Sequence, residues 1–246
     1  MSAAAAVMTE PIPEASPLST TTIAGALYLT SMLTGGGAAL IRWRLFLSGD
    51  AAVTATNILA HQPLFWMVLA ADLISALCFV AVTLLFYEMF KPVSKRLSWF
   101  AAFLSLIGCA IVAFACLFHI AALVVLRGAQ YLNLLAVEPL QVLALMCLTL
   151  RAQAYNISLA FFGFSVFLIG YHIFRSTFLP RVLAVLMVIA GLGWLTVLSP
   201  PLAKYLWPYI AAPGLIVEGT LTLWLLVIGV NAERWKEQAS AAGSSR

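Results

Sequence analysis

Charged residues are scarce in this sequence. Asp, Glu, Lys and Arg make up 9% of its 246 residues, whereas 63% are hydrophobic, and the mean hydropathy is +1.04. Soluble domains carry roughly 25% charged residues. A soluble fold of this length could not cover so much apolar surface with so few charges. The scarcity of charge therefore excludes an ordinary soluble protein and predicts a protein that lies in the lipid bilayer.

The long apolar runs lack the two-residue alternation that is typical of membrane β-barrel strands. Helices are the remaining structure that satisfies backbone hydrogen bonds inside hydrocarbon. A span needs about 20 apolar residues, and about six runs reach that length. The sequence therefore predicts an all-α, polytopic transmembrane helical bundle. The predicted spans lie near 22–41, 64–89, 98–126, 156–174, 182–198 and 210–230.

Sequence motifs of common nucleotide-binding proteins and hydrolases are also missing. The sequence contains no Walker motif, no G-x-S-x-G, no H-E-x-x-H and no convincing internal repeat. Its 13 basic residues occur one to three at a time between apolar runs, a pattern of topology signals rather than of a phosphate-binding patch. A nucleic-acid partner is therefore not expected. The four cysteines show no C-x-x-C pairing and are expected to be small packing residues.

The first 20 residues contain no basic residue. A cleavable signal peptide begins with a positively charged region, so we expect the first span itself to direct insertion. The sequence predicts three segments: a disordered cytoplasmic tail over 1–20, a transmembrane helical domain over 21–231 and a cytoplasmic tail over 232–246.

Orientation follows from the Lys and Arg counts. With six spans, about eight basic residues lie on the side of the termini and about five on the other side. The short loops, which carry most weight, include KPVSKR at 91–96 and RSTFLPR at 175–181. These counts predict that both termini lie in the cytoplasm.

One further apolar stretch complicates the span count. Residues 138–150 (EPLQVLALMCLTL) are apolar enough for a seventh span, but about 13 residues is short for one. With a seventh span, the basic residues would again divide into about eight and five, but the amino terminus would lie outside. The charge counts alone therefore do not decide between six and seven spans. We expect 138–152 to form an interfacial or partly inserted helix that begins at Glu138 and Pro139.

Three ionisable residues in the spans form the candidate site. Ionisable side chains inside a membrane are rare and indicate function by default. Asp72, His119 and Glu218 fall at similar depth in the outer halves of three different spans. At 100° per residue, each shares a helix face with a second small or polar residue, respectively Ser75, Cys116 and Thr222. The pattern predicts a polar pocket that is open towards the outside.

Three classes of function fit this pocket. The leading interpretation is a non-enzymatic membrane protein that binds or moves a small ligand. The second is an intramembrane metal-dependent hydrolase that holds zinc on Asp72, His119 and Glu218, with His61 as a fourth group, since catalytic zinc takes three protein ligands and a water. The third is a structural or accessory subunit whose polar residues only fix helix packing. A bis-histidine haem is not expected, because His119 and His172 lie near opposite faces of the membrane.

Three stretches carry a resemblance to a known family. They are SGDAAVTATNILAHQPLFWMVLAADLISAL at 48–77, ISLAFFGFSVFLIGYHIFRSTFLPRVLAVLMVIAGLGWL at 157–195 and VEGTLTLWLLVIGV at 217–230. The chain from about residue 20 to 230 resembles bacterial membrane proteins grouped as domain-of-unknown-function family 4386. The resemblance implies a bacterial, multi-pass inner-membrane protein with six spans and marks Asp72 and Glu218 as family-like positions. It implies no activity, cofactor or partner.

Overall fold

The computed structural model describes residues 17–46, 49–128 and 136–244. These residues form helices and connecting turns, with no β-strand among them. A π-helical turn, Arg42–Phe46, follows the first helix, and a 3₁₀ turn, Leu195–Leu198, follows the sixth. The α-helices are α1 Pro17–Ile41, α2 Ala51–Ala60, α3 Gln62–Phe90, α4 Lys95–Leu126, α5 Val137–Arg175, α6 Arg181–Trp194, α7 Pro200–Val227 and α8 Ala232–Ser244.

Six helical segments of the described chain are long and apolar enough to cross a membrane. This confirms the predicted fold class and number of spans. The segments are Leu18–Phe46, Gln62–Phe90, Lys95–Leu126, Val137–Arg175, Arg181–Leu198 and Tyr209–Val227.

The spanning helices form a closed ring. α1 packs against α3, α3 against α4, α4 against α5, α5 against α6, α6 against α7, and α7 returns to α1. Each spanning helix therefore has two neighbours in the ring and presents its remaining surface outwards. The short helix α2 lies at one end, where it contacts α5 and the π-helical turn. Asp50 caps this helix by accepting a hydrogen bond from the backbone N–H of Val53 (2.9 Å).

Helix α5 corrects the sequence-based boundaries. Residues 138–150 are not a separate helix, because they form the first third of the continuous helix Val137–Arg175. No glycine or proline interrupts the stretch 140–162, so nothing in it favours a break. The additional short apolar helix of the fold is Ala51–Ala60. At the amino terminus, α1 begins at Pro17 rather than near 22, which is within the tail predicted over 1–20. Residues 1–16 of that tail lie outside the described residues.

Small residues set the contact between α5 and α6. A Cβ atom on Gly191 would lie 2.5 Å from the backbone nitrogen of Phe167, and one on Gly170 would lie 2.8 Å from that of Val188. A Cβ on Gly163 would lie 3.1 Å from the carbonyl oxygen of Gly191. Gly163, Gly170 and Gly191 therefore allow α5 and α6 to pack closely.

The two ends of the ring differ in charge. The end that we call the basic end comprises the start of α1, the loops 91–94 and 176–180, and α8. The indole N–H of Trp235 in α8 donates to the carbonyl of Met89 (2.9 Å), which ties α8 to this end. The opposite end, which we call the far end, comprises α2, the α4–α5 connection and the segment between α6 and α7. Each end has its own cluster of buried apolar residues.

Candidate functional site

Asp72 lies in a buried cluster of three charges near the far end. It belongs to α3, about 27 Å from the last residue of that helix at 1.5 Å per residue. One carboxylate oxygen, Oδ2, accepts from Arg42 and also from Arg151 (2.5 Å). Arg42 comes from the π-helical turn after α1, and Arg151 comes from the middle of α5. We call these three residues the Arg–Asp–Arg cluster; it joins three elements that are distant in sequence.

The cluster carries more positive than negative charge. Arg42, Asp72 and Arg151 are 6%, 6% and 4% exposed, so all three are removed from bulk water. Two guanidinium groups share one carboxylate, which leaves a formal excess of one positive charge. The Nε atoms of both arginines are buried and have no hydrogen-bond partner within the described chain. Donors remain free on both guanidinium groups, and a buried charge without a counter-charge is costly.

His119 lies beside this cluster on α4. It is fully buried, and its ring stacks on Phe65 with centroids 3.8 Å apart. Its Nε2 lies 3.0 Å from the carbonyl oxygen of Phe65. Since a carbonyl can only accept, Nε2 carries the hydrogen and Nδ1 presents a lone pair. No described residue hydrogen-bonds to that Nδ1, which is also buried.

Glu218 forms a second site rather than part of the first. Its Oε2 accepts from the hydroxyl of Tyr28 on α1, and its Oε1 accepts from the indole N–H of Trp194 on α6, both at 2.6 Å. Gly214 makes this possible, because a Cβ there would lie 2.8 Å from the Trp194 ring. Glu218 therefore holds α1, α6 and α7 together near the middle of the ring. No ion pair to Glu218 occurs in the part of the chain that the structure describes.

The residues predicted to share these faces have mainly packing roles. The hydroxyls of Ser75 and Ser31 lie 3.0 Å apart, which joins α3 to α1. A Cβ on Gly35 would lie 2.6 Å from the Ser75 hydroxyl oxygen, so glycine is needed where the two helices meet. Thr222 is buried and donates to the carbonyl of Glu218 (2.8 Å) within its own helix. Cys116 is buried one turn before His119 and is a free thiol.

The structure does not bring the three predicted ionisable residues to one point. Asp72 is paired with arginines, His119 bonds to a backbone carbonyl, and Glu218 is held by Tyr28 and Trp194. Among the described residues, no three His, Cys, Asp or Glu side chains are placed to hold a metal ion. The fourth metal candidate, His61, is exposed at the junction of α2 and α3, where its Nδ1 lies 3.1 Å from the Asn57 carbonyl oxygen.

Sequence reasoning missed Arg42 and Arg151 because both were counted as loop residues. The missed signal is the length of the apolar stretch around Arg151, which continues on both sides without a helix breaker. It also missed Tyr28 and Trp194, since an aromatic residue in an apolar span gives no sign in the sequence of a polar partner. Their contacts with Glu218 depend on helix pairing, which periodicity alone does not predict.

Comparisons with known proteins give one match. No curated protein and no solved structure matches the chain. The family model described as Domain of unknown function (DUF4386) matches residues 23–229, which include all six spanning segments in whole or in large part. The suspected resemblance is thereby confirmed, and the chain belongs to the DUF4386 family of proteins.

Proposed function

We propose that the protein binds a small anionic group, a carboxylate or a phosphate, on Arg42 and Arg151. The observation that carries this proposal is the excess positive charge of the Arg–Asp–Arg cluster. Two buried guanidinium groups meet at one carboxylate oxygen, and each retains a buried Nε with no partner in the described residues.

The donor set favours an anion over other ligands. A guanidinium group presents a planar fork of N–H donors that matches carboxylate and phosphate oxygens. Asp72 uses one oxygen for both arginines, so it orients them without saturating them. An incoming anion would restore charge balance and accept from donors that are otherwise unsatisfied. A cation would meet two positive charges and only one negative charge.

The elements around the cluster support access from the far end. Arg42 belongs to a π-helical turn, a wider helical turn that is frequent at functional sites. The short helix α2 contacts both this turn and α5, so it covers the elements that carry the two arginines. Movement of α2 would expose the site without disturbing the ring of spanning helices. In this proposal Arg42 and Arg151 are the binding groups, in place of the predicted trio Asp72, His119 and Glu218.

A structural role is the alternative that a specific observation favours. Buried arginine–carboxylate–arginine groups can cross-link elements without binding any ligand. Here the cluster joins α1, α3 and α5, as a purely structural device would. The contacts do not favour a metal-dependent hydrolase, because the carboxylates of Asp72 and Glu218 are each held by other side chains.

Ligand binding to purified full-length protein tests the proposal. Inorganic phosphate and acetate are titrated at constant ionic strength while thermal unfolding is followed, because a ligand that binds the folded state raises the unfolding temperature. The variant Arg151→Gln leaves a neutral Arg42–Asp72 pair and should lose the response. Arg44→Gln is the matched control, since Arg44 is exposed two residues from Arg42 and its loss should leave the response unchanged.

A lipid headgroup and a free anion share this chemistry, so a second arm separates them. The protein is placed in phosphatidylcholine nanodiscs with and without phosphatidylglycerol, and retained lipid is identified by native mass spectrometry. Retention of phosphatidylglycerol that Arg151→Gln abolishes would identify a headgroup. A response to phosphate or acetate alone would identify a free anion. If neither arm shows binding, or if Arg151→Gln binds as wild type does, the proposal fails and the structural role remains.

We further propose that both termini face the cytoplasm of a bacterium and that the far end faces outwards. Arg42 and Arg151 are buried and no longer count as loop charges. The far end then has three basic residues, Arg44, Arg127 and Lys204, against eight towards the basic end. The wider difference supports the positive-inside orientation.

A further inference from the structure

We propose that a buried water molecule joins Glu218 and Tyr28 to His172, which gives the bundle a path for proton transfer towards its basic end. The proposal is independent of the anion site and depends on a narrow cavity between α1, α3, α4 and α5. The cavity has a volume of about 20 Å³, and a cavity needs about 10–15 Å³ to hold one water. Polar groups line it among aromatic rings: Tyr28, Thr83, Ser98, Ser105, Ser165 and His172.

His172 presents an unsatisfied nitrogen at this cavity. The residue is 1% exposed, and its Nδ1 lies 2.7 Å from the carbonyl oxygen of Leu168. The carbonyl can only accept, so Nδ1 carries the hydrogen and Nε2 presents a lone pair. Nε2 is buried and has no hydrogen-bond partner within the described chain. A neutral His172 with its hydrogen on Nδ1 therefore lacks a donor at Nε2; the backbone of Ser94 also approaches this ring.

The serine and threonine hydroxyl groups around the cavity have already committed their protons. Ser98 donates to the carbonyl of Tyr87 (3.2 Å), and Ser165 donates to that of Ala101 (2.9 Å). Thr83 donates to the carbonyl of Phe79 (2.8 Å), so Ser105, whose oxygen lies 2.8 Å from that of Thr83, is the donor of that pair.

The four hydroxyls and His172 therefore offer acceptors only. Water supplies two O–H donors in the space available, and a buried water needs two to four polar partners. A water that donates to Nε2 of His172 and to one hydroxyl oxygen satisfies this requirement.

Tyr28 belongs both to the lining of this cavity and to the Glu218 site. Tyr28 lines the cavity, and its hydroxyl donates to Glu218. Measured along their helices from the basic end, Tyr28 lies at about 16 Å, Thr83 at about 10 Å and His172 at about 5 Å. Polar groups thus occur at successive depths between the middle of the ring and its basic end. The titratable side chains that line the cavity are Tyr28, Tyr87 and His172.

The transfer balances without any other reactant. With Glu218 protonated, the Tyr28 hydroxyl turns from Glu218 to the cavity water. Glu218 then gives its proton to the Tyr28 oxygen, while Tyr28 passes its own hydroxyl proton to the water. The water passes one proton to Nε2 of His172. Glu218 becomes a carboxylate, His172 becomes an imidazolium, and Tyr28 and the water are unchanged. Return of the imidazolium proton at the basic end completes the passage.

Proton uptake by liposomes that contain the full-length protein tests the path. A potassium gradient with valinomycin drives protons inwards, and enclosed pyranine reports internal pH. Wild type should acidify the lumen faster than protein-free liposomes. Glu218→Gln, His172→Gln and Ala101→Val should each lower this protein-dependent rate about tenfold or more, because a proton-transfer group contributes at least that much.

Ala101→Val fills the cavity without removing a titratable group, since Ala101 lines it. Its matched control is Ala113→Val, an exposed position on the same helix, which should retain the wild-type rate. The proposal is overturned if wild type equals protein-free liposomes, or if either His172→Gln or Ala101→Val retains the wild-type rate.

A structural measurement covers the case in which the variants do not fold. An experimental structure of the wild type, at a resolution that shows ordered water, should have a water within hydrogen-bond distance of Nε2 of His172. A dry cavity would overturn the proposal irrespective of any variant.

Discussion

At the scale of single residues, the main feature is that the Arg–Asp–Arg cluster contains two positive charges and one negative charge. Asp72 faces two arginines, so each of the three side chains has a different effect when it is removed. Loss of Asp72 leaves two buried positive charges without a counter-charge. Loss of one arginine leaves a neutral pair. The cluster therefore allows a charge-based test in which side-chain size changes little.

We expect Asp72→Asn to destabilise the protein more than Arg151→Gln does. Removal of the single counter-charge from a buried ion pair costs about 3–5 kcal/mol, and here it leaves Arg42 and Arg151 in repulsion. Combining Asp72→Asn with Arg151→Gln should recover part of the loss, because only one positive charge then remains. Thermal unfolding in detergent measures the order of stability. Equal destabilisation by the two single variants would contradict the excess-charge description.

The Glu218 site gives a second prediction at this scale. Each carboxylate oxygen has one side-chain donor, from Tyr28 or Trp194. Tyr28→Phe removes one donor with little change in shape and should cost about 1–3 kcal/mol, the usual effect of an unsatisfied buried polar group. Tyr205→Phe is the control, since Tyr205 is 77% exposed. Similar unfolding temperatures for the two variants would show that the Tyr28 hydrogen bond contributes nothing to stability.

At the scale of helices, glycine distinguishes the closest contacts from open surface. Gly191 faces the backbone of α5 at a distance that excludes a side chain, whereas no described neighbour lies within 4 Å of a Cβ placed on Gly37. Both glycines lie inside helices, so the intrinsic helical gain from Gly→Ala, about 0.5–1 kcal/mol, is the same for both.

We therefore expect opposite effects from the same substitution. Gly37→Ala should leave stability unchanged or raise it, while Gly191→Ala should lower it by about 1–3 kcal/mol through overpacking against Phe167. The difference between the two unfolding temperatures isolates the α5–α6 contact from helix propensity. If Gly191→Ala is as stable as Gly37→Ala, α5 and α6 do not pack as closely as the structure indicates.

The helices also show what sequence reasoning could reach. Apolar length predicted all six spans, since a run of about 20 apolar residues has few alternatives. The boundaries of α5 were missed because Arg151 looked like a loop residue, although its charge is balanced by Asp72 from a distant helix. The same limit applies to the site. Depth predicted Asp72, His119 and Glu218 as notable residues, but which side chains meet depends on the ring order of the helices, and periodicity contains no information on that order.

At the scale of the whole molecule, the ring separates two kinds of polar chemistry. The Arg–Asp–Arg cluster lies near the far end and carries excess positive charge. Glu218 and the cavity that leads to His172 occupy the middle and the basic end. Tyr155 on α5 lies within electrostatic range of both Glu218 and the three charges of the cluster. One residue of α5 is therefore near both sites.

Orientation in the membrane is the last prediction, and it depends on the burial of Arg42 and Arg151. If loop charges set the topology, a fluorescent protein fused to the carboxyl terminus should fold in the cytoplasm and fluoresce. A periplasm-dependent alkaline phosphatase at the same position should stay inactive.

Neutralising Arg42 and Arg151 should not alter either reporter, because these two charges face Asp72 rather than the loops. Neutralising Lys91, Lys95 and Arg96 together should weaken the orientation, since these charges lie at a short loop of the basic end. Active phosphatase in the unaltered fusion would reverse the orientation and place the arginine cluster near the cytoplasm.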